Sequence, residues 1–188
     1  MLAKQTALIK RVPFYYIRHG QTDWNAQNRA MGQADIPLNA IGIKQPVAAR
    51  NRLIGSGIAT ICCSPLSRAK QTAELFNQTL NAALVEVEEL REFYLGPYQG
   101  QVKEQWFKDW RLGTAFPETE NYADFIVRAS KGLSKALDFP GPILIVAHGG
   151  VYWALEQLVQ SGKKEIPNCI PVFYEPLPNG KWKCNLMA

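Results

Sequence analysis

The sequence predicts an α/β fold: a three-layer α/β/α sandwich with a mainly parallel sheet and helices on both faces. Three observations carry that prediction. Short apolar runs of strand length alternate with longer amphipathic stretches, two of those runs end in the same pair of residues, His-Gly, and no internal repeat or low-complexity tract interrupts the alternation. With 188 residues the chain is long enough for a substantial core and matches the size of one domain.

The first strand is expected over residues 12–17, an apolar run rich in aromatic and β-branched side chains that Gly20 brings to a stop. Arg18 and His19 then stand at its carboxyl end. In an open α/β sheet that edge collects ligands, because loops and helix amino termini converge there with unpaired N–H groups. An Arg next to a His in that setting points to an anion.

Residues 22–27 read as a short helical turn and residues 32–38 as a loop with Gly and Pro breakers. Asn39 is a good N-cap for the next helix, whose apolar face would be Ile41, Val47, Ala48 and Leu53, with Gly55-Ser56-Gly57 ending it. A second buried strand spans 58–63. Ser64-Pro65-Leu66 leads from it directly into a helix running to about Leu80, with Ser64 as cap, Pro65 in the first turn and Arg68 projecting near the positive end.

A third strand is expected at 84–87, then a loop at 96–100, a helix at 101–110 and a longer amphipathic helix at 121–137 with Phe125, Ile126, Ala129, Leu133 and Leu137 on one side. Residues 143–147 form the strongest strand pattern in the chain, ending at His148-Gly149-Gly150 before a helix from about Val151. A hairpin of 170–175 and 181–186 around Asn179-Gly180 closes the chain.

Composition narrows the function. Hydrophobic residues at 47% and charged residues at 20% are ordinary globular values, and no apolar run reaches bilayer length, so no membrane partner is expected. The first eleven residues hold only the short apolar stretch 6–9, too brief for a secretory core, which makes the cytoplasm the expected compartment. Cys62, Cys63, Cys169 and Cys184 form no disulfide framework and read as small buried hydrophobes.

The net charge of +5 comes from 21 Lys and Arg against 16 Asp and Glu, spread along the chain with Lys163-Lys164 as the longest run. That distribution argues against nucleic acid and for a small acidic partner in a positive pocket. The two histidines lack metal-ligand spacing, so no metal is expected. The phosphate-loop, dinucleotide and serine-hydrolase signatures are absent, and no cofactor is expected.

The pattern Arg18-His19-Gly20-x-Thr22-x-x-Asn25 resembles the histidine phosphatase (phosphoglycerate mutase-like) superfamily, branch 1. The stretch 64–73, Ser-x-Leu-x-Arg-Ala-x-Gln-Thr-Ala, is similar to its second signature, and the likeness covers most of the chain from Phe14 to about Phe173. It implies the phosphoglycerate mutase-like sandwich and a phosphomonoesterase that passes through a phosphohistidine at His19. In that scheme Arg18, Arg68 and His148 bind phosphate, and Asn25, Thr22 and Gly149 stand on the substrate side. A phosphoglycerate mutase shares these residues and is the alternative enzyme; a phosphate-ligand binding module is the alternative outside catalysis.

The chemistry suits those residue types. A neutral imidazole is a competent nucleophile when its second nitrogen is held by a hydrogen bond, and guanidinium groups spread charge over phosphate oxygens in pairs. The proton donor should be a carboxyl group, and on proximity alone Glu88, Glu89 and Glu92 compete. The family pattern Leu-x-Glu-x-x-x-Gly-x-aromatic-x-Gly falls on Leu90, Glu92, Gly96, Tyr98 and Gly100, which selects Glu92. Two departures stand out: Tyr98-Gln99 where many family phosphatases have Trp-Glu, and Thr119-Glu120-Asn121 where the family has Gly-Glu-Ser.

Overall fold

A computed structural model describes residues 9–162 and 165–187. Most of the apolar stretch 6–9 and the Lys163-Lys164 run lie outside them. Six strands form one sheet in the order β3-β2-β4-β1-β5-β6. The strands are β1 (Phe14–Arg18), β2 (Thr60–Cys63), β3 (Ala83–Glu86), β4 (Ile143–Ala147), β5 (Val172–Pro176) and β6 (Trp182–Leu186). Pairings among β1 to β4 are parallel, while β5 and β6 add an antiparallel hairpin at one side.

Both faces of the sheet are covered, as a parallel sheet requires. Ile143, Ile145 and Ala147 of β4 face one layer and Leu144 and Val146 the other, and all five are buried. On the first face lie α4 (Gln105–Arg111), α5 (Tyr122–Ala136) and α6 (Gly149–Val159), packed through Trp110, Phe125, Leu133 and Leu155. On the second lie α2 (Ala40–Ala49) and α3 (Ser67–Leu80), packed through Ala49, Ala73 and Phe76. The short α1 (Asp23–Ala26) follows β1 directly. The adjacent Cys62 and Cys63 divide between the two faces, and burial pushes each thiol up to about 12.

Three local expectations change. The helix α2 buries Gly42, Pro46 and Ala49, while Ile41 and Val47 are exposed. Close approach decides this orientation, since a Cβ on Gly42 would overlap the Gln21 carbonyl oxygen and a Cβ on Gly20 would overlap the Gly42 carbonyl oxygen. Pro46 fits there because it lacks the N–H that would otherwise bond that carbonyl one turn back.

The helix α3 starts at Ser67, later than expected, and Ser64 does not cap it. Asp35, from the loop before α2, takes the Ser67 N–H at 2.7 Å in its place. The helix α6 starts two residues early, at Gly149, so that His148 is its N-terminal flank. The predicted strand 84–87 forms as β3, but at the sheet's edge, where most of its side chains are exposed.

The expected energetics follow from burial. Phe76→Ala, which empties a fully buried position between α3 and the sheet, should cost about 3–5 kcal/mol in urea unfolding. Leu112→Ala, at a position 85% exposed, should stay within about 0.5 kcal/mol of the parent chain.

Candidate active site

The central pair of strands places the chemistry. Arg18 pairs in register with Ala147, the last residues of β1 and β4, so His19 and His148 leave the sheet side by side. Their rings meet edge to face with centroids 5.1 Å apart. The chain after β1 goes on to α2 on one face, and the chain after β4 forms α6 on the other. The crevice between them is therefore the switch point at which open sheets bind ligands.

Each neighbour of His19 has a defined task. The imidazole Nδ1 lies 2.7 Å from the Gly20 carbonyl oxygen, so Nδ1 carries the proton and Nε2 keeps its lone pair. The main chain is held on three sides: the His19 N–H donates to Ala147 O, Asn168 Nδ2 donates to His19 O at 2.6 Å, and the Gly20 N–H donates to Thr72 Oγ1. Burial first, then the charges of Arg68 and Arg18, hold the His19 pKa well below its ordinary value. The ring is neutral at physiological pH.

The cations crowd the same point. Arg68 is completely buried and donates to the carbonyl oxygens of Gly32 and Ala34, while its Nε has no hydrogen-bond partner among the described residues. Burial lowers its pKa to about 10. Arg18 also has a buried Nε without a partner among the described residues, and its Nη1 makes a long 3.5 Å approach to Ile166 O. His148 uses Nε2 on Ser64 Oγ at 2.8 Å, and its Nδ1 has no partner among the described residues. Buried donors without partners are costly in proteins, and a phosphate is the group whose oxygens would satisfy them together.

Glu92 completes the ring of charge. It is 7% exposed, and its carboxylate takes the N–H groups of Gly150 at 3.0 Å and Phe93 at 3.3 Å. Burial raises its pKa despite those bonds and despite Arg68 and Arg18 nearby. Glu88 and Glu89 face the surface instead, paired with Arg91 and Lys135.

The remaining expected residues divide. Asn25 and Gly149 line the cavity of about 410 Å³ in front of His19. Thr22 does not line it: its hydroxyl caps α1 through the Asn25 N–H and reaches Met31 Sδ, so it shapes the loop from behind. Glu120 and Asn121 also turn away from the cavity, Asn121 to cap α5 and Glu120 to pair with Arg128. Gln99 accepts the Gln33 N–H and supports the Gly32 turn.

Sequence patterns did not single out Lys103, Arg111, Trp153 or Asn168, all of which reach the cavity. They come from loops and from α4 and α6, where no local signature marks an inward side chain. Among the described residues no group of three or more His, Cys, Asp or Glu is arranged to hold a metal ion.

Fold and site together define an α/β/α protein whose cleft is lined by Arg18, His19 and the buried Glu92, with His148 against the His19 ring and the charge of Arg68 acting on it. The model of the histidine phosphatase superfamily (branch 1) matches residues 14–172, and the chain belongs to that superfamily. It is 35% identical over 152 residues to a Bacillus subtilis (strain 168) protein described as uncharacterized phosphatase PhoE, covering 80% of this chain and 78% of that one. It is 34% identical over 147 residues to the probable phosphoglycerate mutase GpmB of Yersinia pestis (strain Pestoides F), covering 72% and 68%. Among solved structures, a mycobacterial glucosyl-3-phosphoglycerate phosphatase in complex with VO3 superposes with a TM-score of 0.77 at 27% identity, covering 93% of this chain and 97% of that one.

The histidines should leave a mark on stability. Both have folded-state pKa values well below the unfolded value of about 6.5, so as pH falls through 6.5 the unfolded chain takes up protons that the folded chain refuses. In phosphate-free buffer the unfolding free energy should therefore drop between about pH 6.5 and 5. The double variant His19→Asn/His148→Asn should flatten that slope in urea titrations; an unchanged slope would assign it to other groups.

Proposed function

We propose that this chain is a metal-independent phosphomonoesterase that transfers the phosphoryl group of a small phosphorylated metabolite to His19 and then to water. The observation that carries the reading is the fixed tautomer of His19, whose free Nε2 belongs to a neutral ring sitting among Arg18, Arg68 and the unpaired nitrogen of His148. A reaction that passes charge through three phosphate oxygens needs positioning and cations more than it needs new bonds from the protein.

In the first transfer Nε2 attacks phosphorus in line, forming the N–P bond as the ester P–O bond breaks, and Glu92 gives its proton to the departing alkoxide. The raised pKa of Glu92 keeps it a better proton carrier near neutrality than an ordinary carboxyl group. In the second transfer the resulting carboxylate takes a proton from water, whose oxygen displaces His19 from phosphorus and releases inorganic phosphate. The alcohol portion would lie against Lys103, Phe107, Arg111 and Trp153, which form the outer cavity wall. We read the chain as a single catalytic domain, in keeping with its one continuous sheet.

Mutase chemistry is the second reading, favoured by the 34% identity to a probable phosphoglycerate mutase. The segment over the cavity, residues 101–117, contributes only α4, a shorter cover than the insertion of the cofactor-dependent mutases. Phosphatase activity is the better match to that economy. Assay of phosphoglycerate for isomerisation beside phosphate release separates the two.

p-Nitrophenyl phosphate hydrolysis should survive EDTA, and His19→Ala should abolish both turnover and the acid-labile phosphoenzyme formed from labelled substrate. Label retained by the mutant would remove His19 as nucleophile.

For Glu92→Gln, hydrolysis of an alkyl ester such as glycerol phosphate should fall severely, because an alkoxide leaves poorly without a proton. Nitrophenolate leaves unaided, so rapid mixing should show a burst followed by a stall. Equal, mild losses on both substrates would make Glu92 a bystander.

A further inference from the structure

We propose that Arg128, on α5 and locked by Glu120, is a positioning residue that sets the main chain carrying Glu92. The inference rests on the reading of Glu92 as proton donor, and it concerns a side chain outside the cavity.

The Arg128 guanidinium uses every N–H that it has. Nε and Nη2 donate to the two carboxylate oxygens of Glu120, each at 2.8 Å, which fixes the plane of the group. The remaining bonds go to three carbonyl oxygens on the segment leading into the site: Nη1 to Glu89 at 3.0 Å and Arg91 at 2.8 Å, and Nη2 to Glu92 itself at 3.1 Å. Gln33 Nε2 donates to the same Glu92 carbonyl from the loop after α1, at 3.0 Å. Glu120 also accepts the Tyr94 N–H at 3.1 Å, so the acid is flanked on both sides of its chain.

The grip matters because Glu92 has little room. Its carboxylate is held by the Gly150 and Phe93 N–H groups, and a Cβ on Gly150 would overlap its Oε1. The helix α5 presses close to this segment through Gly132, where a Cβ would come within 2.9 Å of Glu89. A main-chain shift of a few tenths of an ångström would move the carboxyl group relative to the leaving oxygen, and misplacements of about 1 Å can cost a hundredfold in rate. Lysine cannot replace a planar fork that binds five acceptors.

A residue that only stapled α5 to the turn at 88–90 would change the melting temperature and nothing else, so the test reads chemistry. Arg128→Lys and Glu120→Gln are compared with the parent on glycerol phosphate and on the nitrophenolate burst. The proposal expects kcat on the alkyl ester to fall about ten- to a hundredfold. KM, inhibition by inorganic phosphate and the burst rate should be kept, because Arg18, Arg68 and His148 are untouched. Methylguanidine should restore part of the alkyl-ester rate to Arg128→Ala.

A pH profile adds a second readout. Glu92 is faced by Arg18 and Tyr16 from β1, Arg68 from α3, Lys103 from the segment before α4, and the Gly150 N–H of α6. Loosening the segment admits water and returns its pKa toward the ordinary value, so the basic limb of kcat on the alkyl ester should move to lower pH.

Unchanged alkyl-ester turnover, or a joint fall of burst and alkyl-ester rate with a raised KM, overturns the proposal. Should Arg128→Lys fail to fold, Glu120→Gln reads the same quantities with the shape preserved. Glu92→Gln run alongside separates the two claims: mild losses there overturn the acid assignment itself, whereas the expected burst and stall with normal Arg128 variants overturn only the positioning role.

Discussion

The parallel pairing of β1 with β4 is the constraint on which the rest of this molecule depends. Two strands in register, each ending where a His-Gly follows, deliver two imidazoles to one point, and the His19 N–H continues the ladder by donating to Ala147. A slip of one residue in that register would turn every side chain of one strand to the opposite layer. Since both layers are packed, with Ile17 and Val146 facing one and Tyr16 and Ile145 the other, the core protects the register and the register protects the site.

Around that point the protein accumulates positive charge in a dry place. Arg68 is buried and Arg18 partly so, no carboxylate among the described residues forms an ion pair with either, and Glu92 is an acid whose field they share. Such an arrangement costs stability, because burial pushes the guanidinium groups and imidazoles toward their neutral forms. Carbonyl oxygens of the 32–34 loop offset part of that cost by taking two donors of Arg68. The same desolvation acts in opposite directions on the two groups: it favours the neutral ring of His19 and keeps Glu92 protonated to a higher pH.

The departures from the family pattern find a physical place in the supporting shell. Glu120, left from the Gly-Glu-Ser stretch, pairs with Arg128 and not with the cavity, and Gln99 braces the turn at Gly32 that supplies a carbonyl to Arg68. Lys103, Arg111 and Trp153 line the cavity instead, the last two joined by a guanidinium-over-indole stack at 3.9 Å. The cavity wall therefore draws on the segment before α4 and on α4 and α6, while the two histidines follow the strand ends.

By itself the sequence determined the alternation of strands and helices, the cap at Asn39, the final hairpin, and the two strand ends at which His19 and His148 precede a glycine. Each of these is encoded locally, by hydrophobic period, by a capping side chain, or by a motif whose members sit within a few residues of one another. The choice of Glu92 over Glu88 and Glu89 came from family resemblance; that Glu92 is the buried one of the three is something spacing along a chain does not report.

Only the tertiary structure decided which face α2 buries, that Ser64 pairs with His148 as well as with the Leu66 N–H, that Thr22 stays behind the loop, and that Arg128, 36 residues from Glu92, reaches its carbonyl. Those outcomes depend on what arrives from a distant part of the chain. A hydroxyl or a guanidinium has several partners available locally, and the packed layers around it select one by leaving the others out of reach.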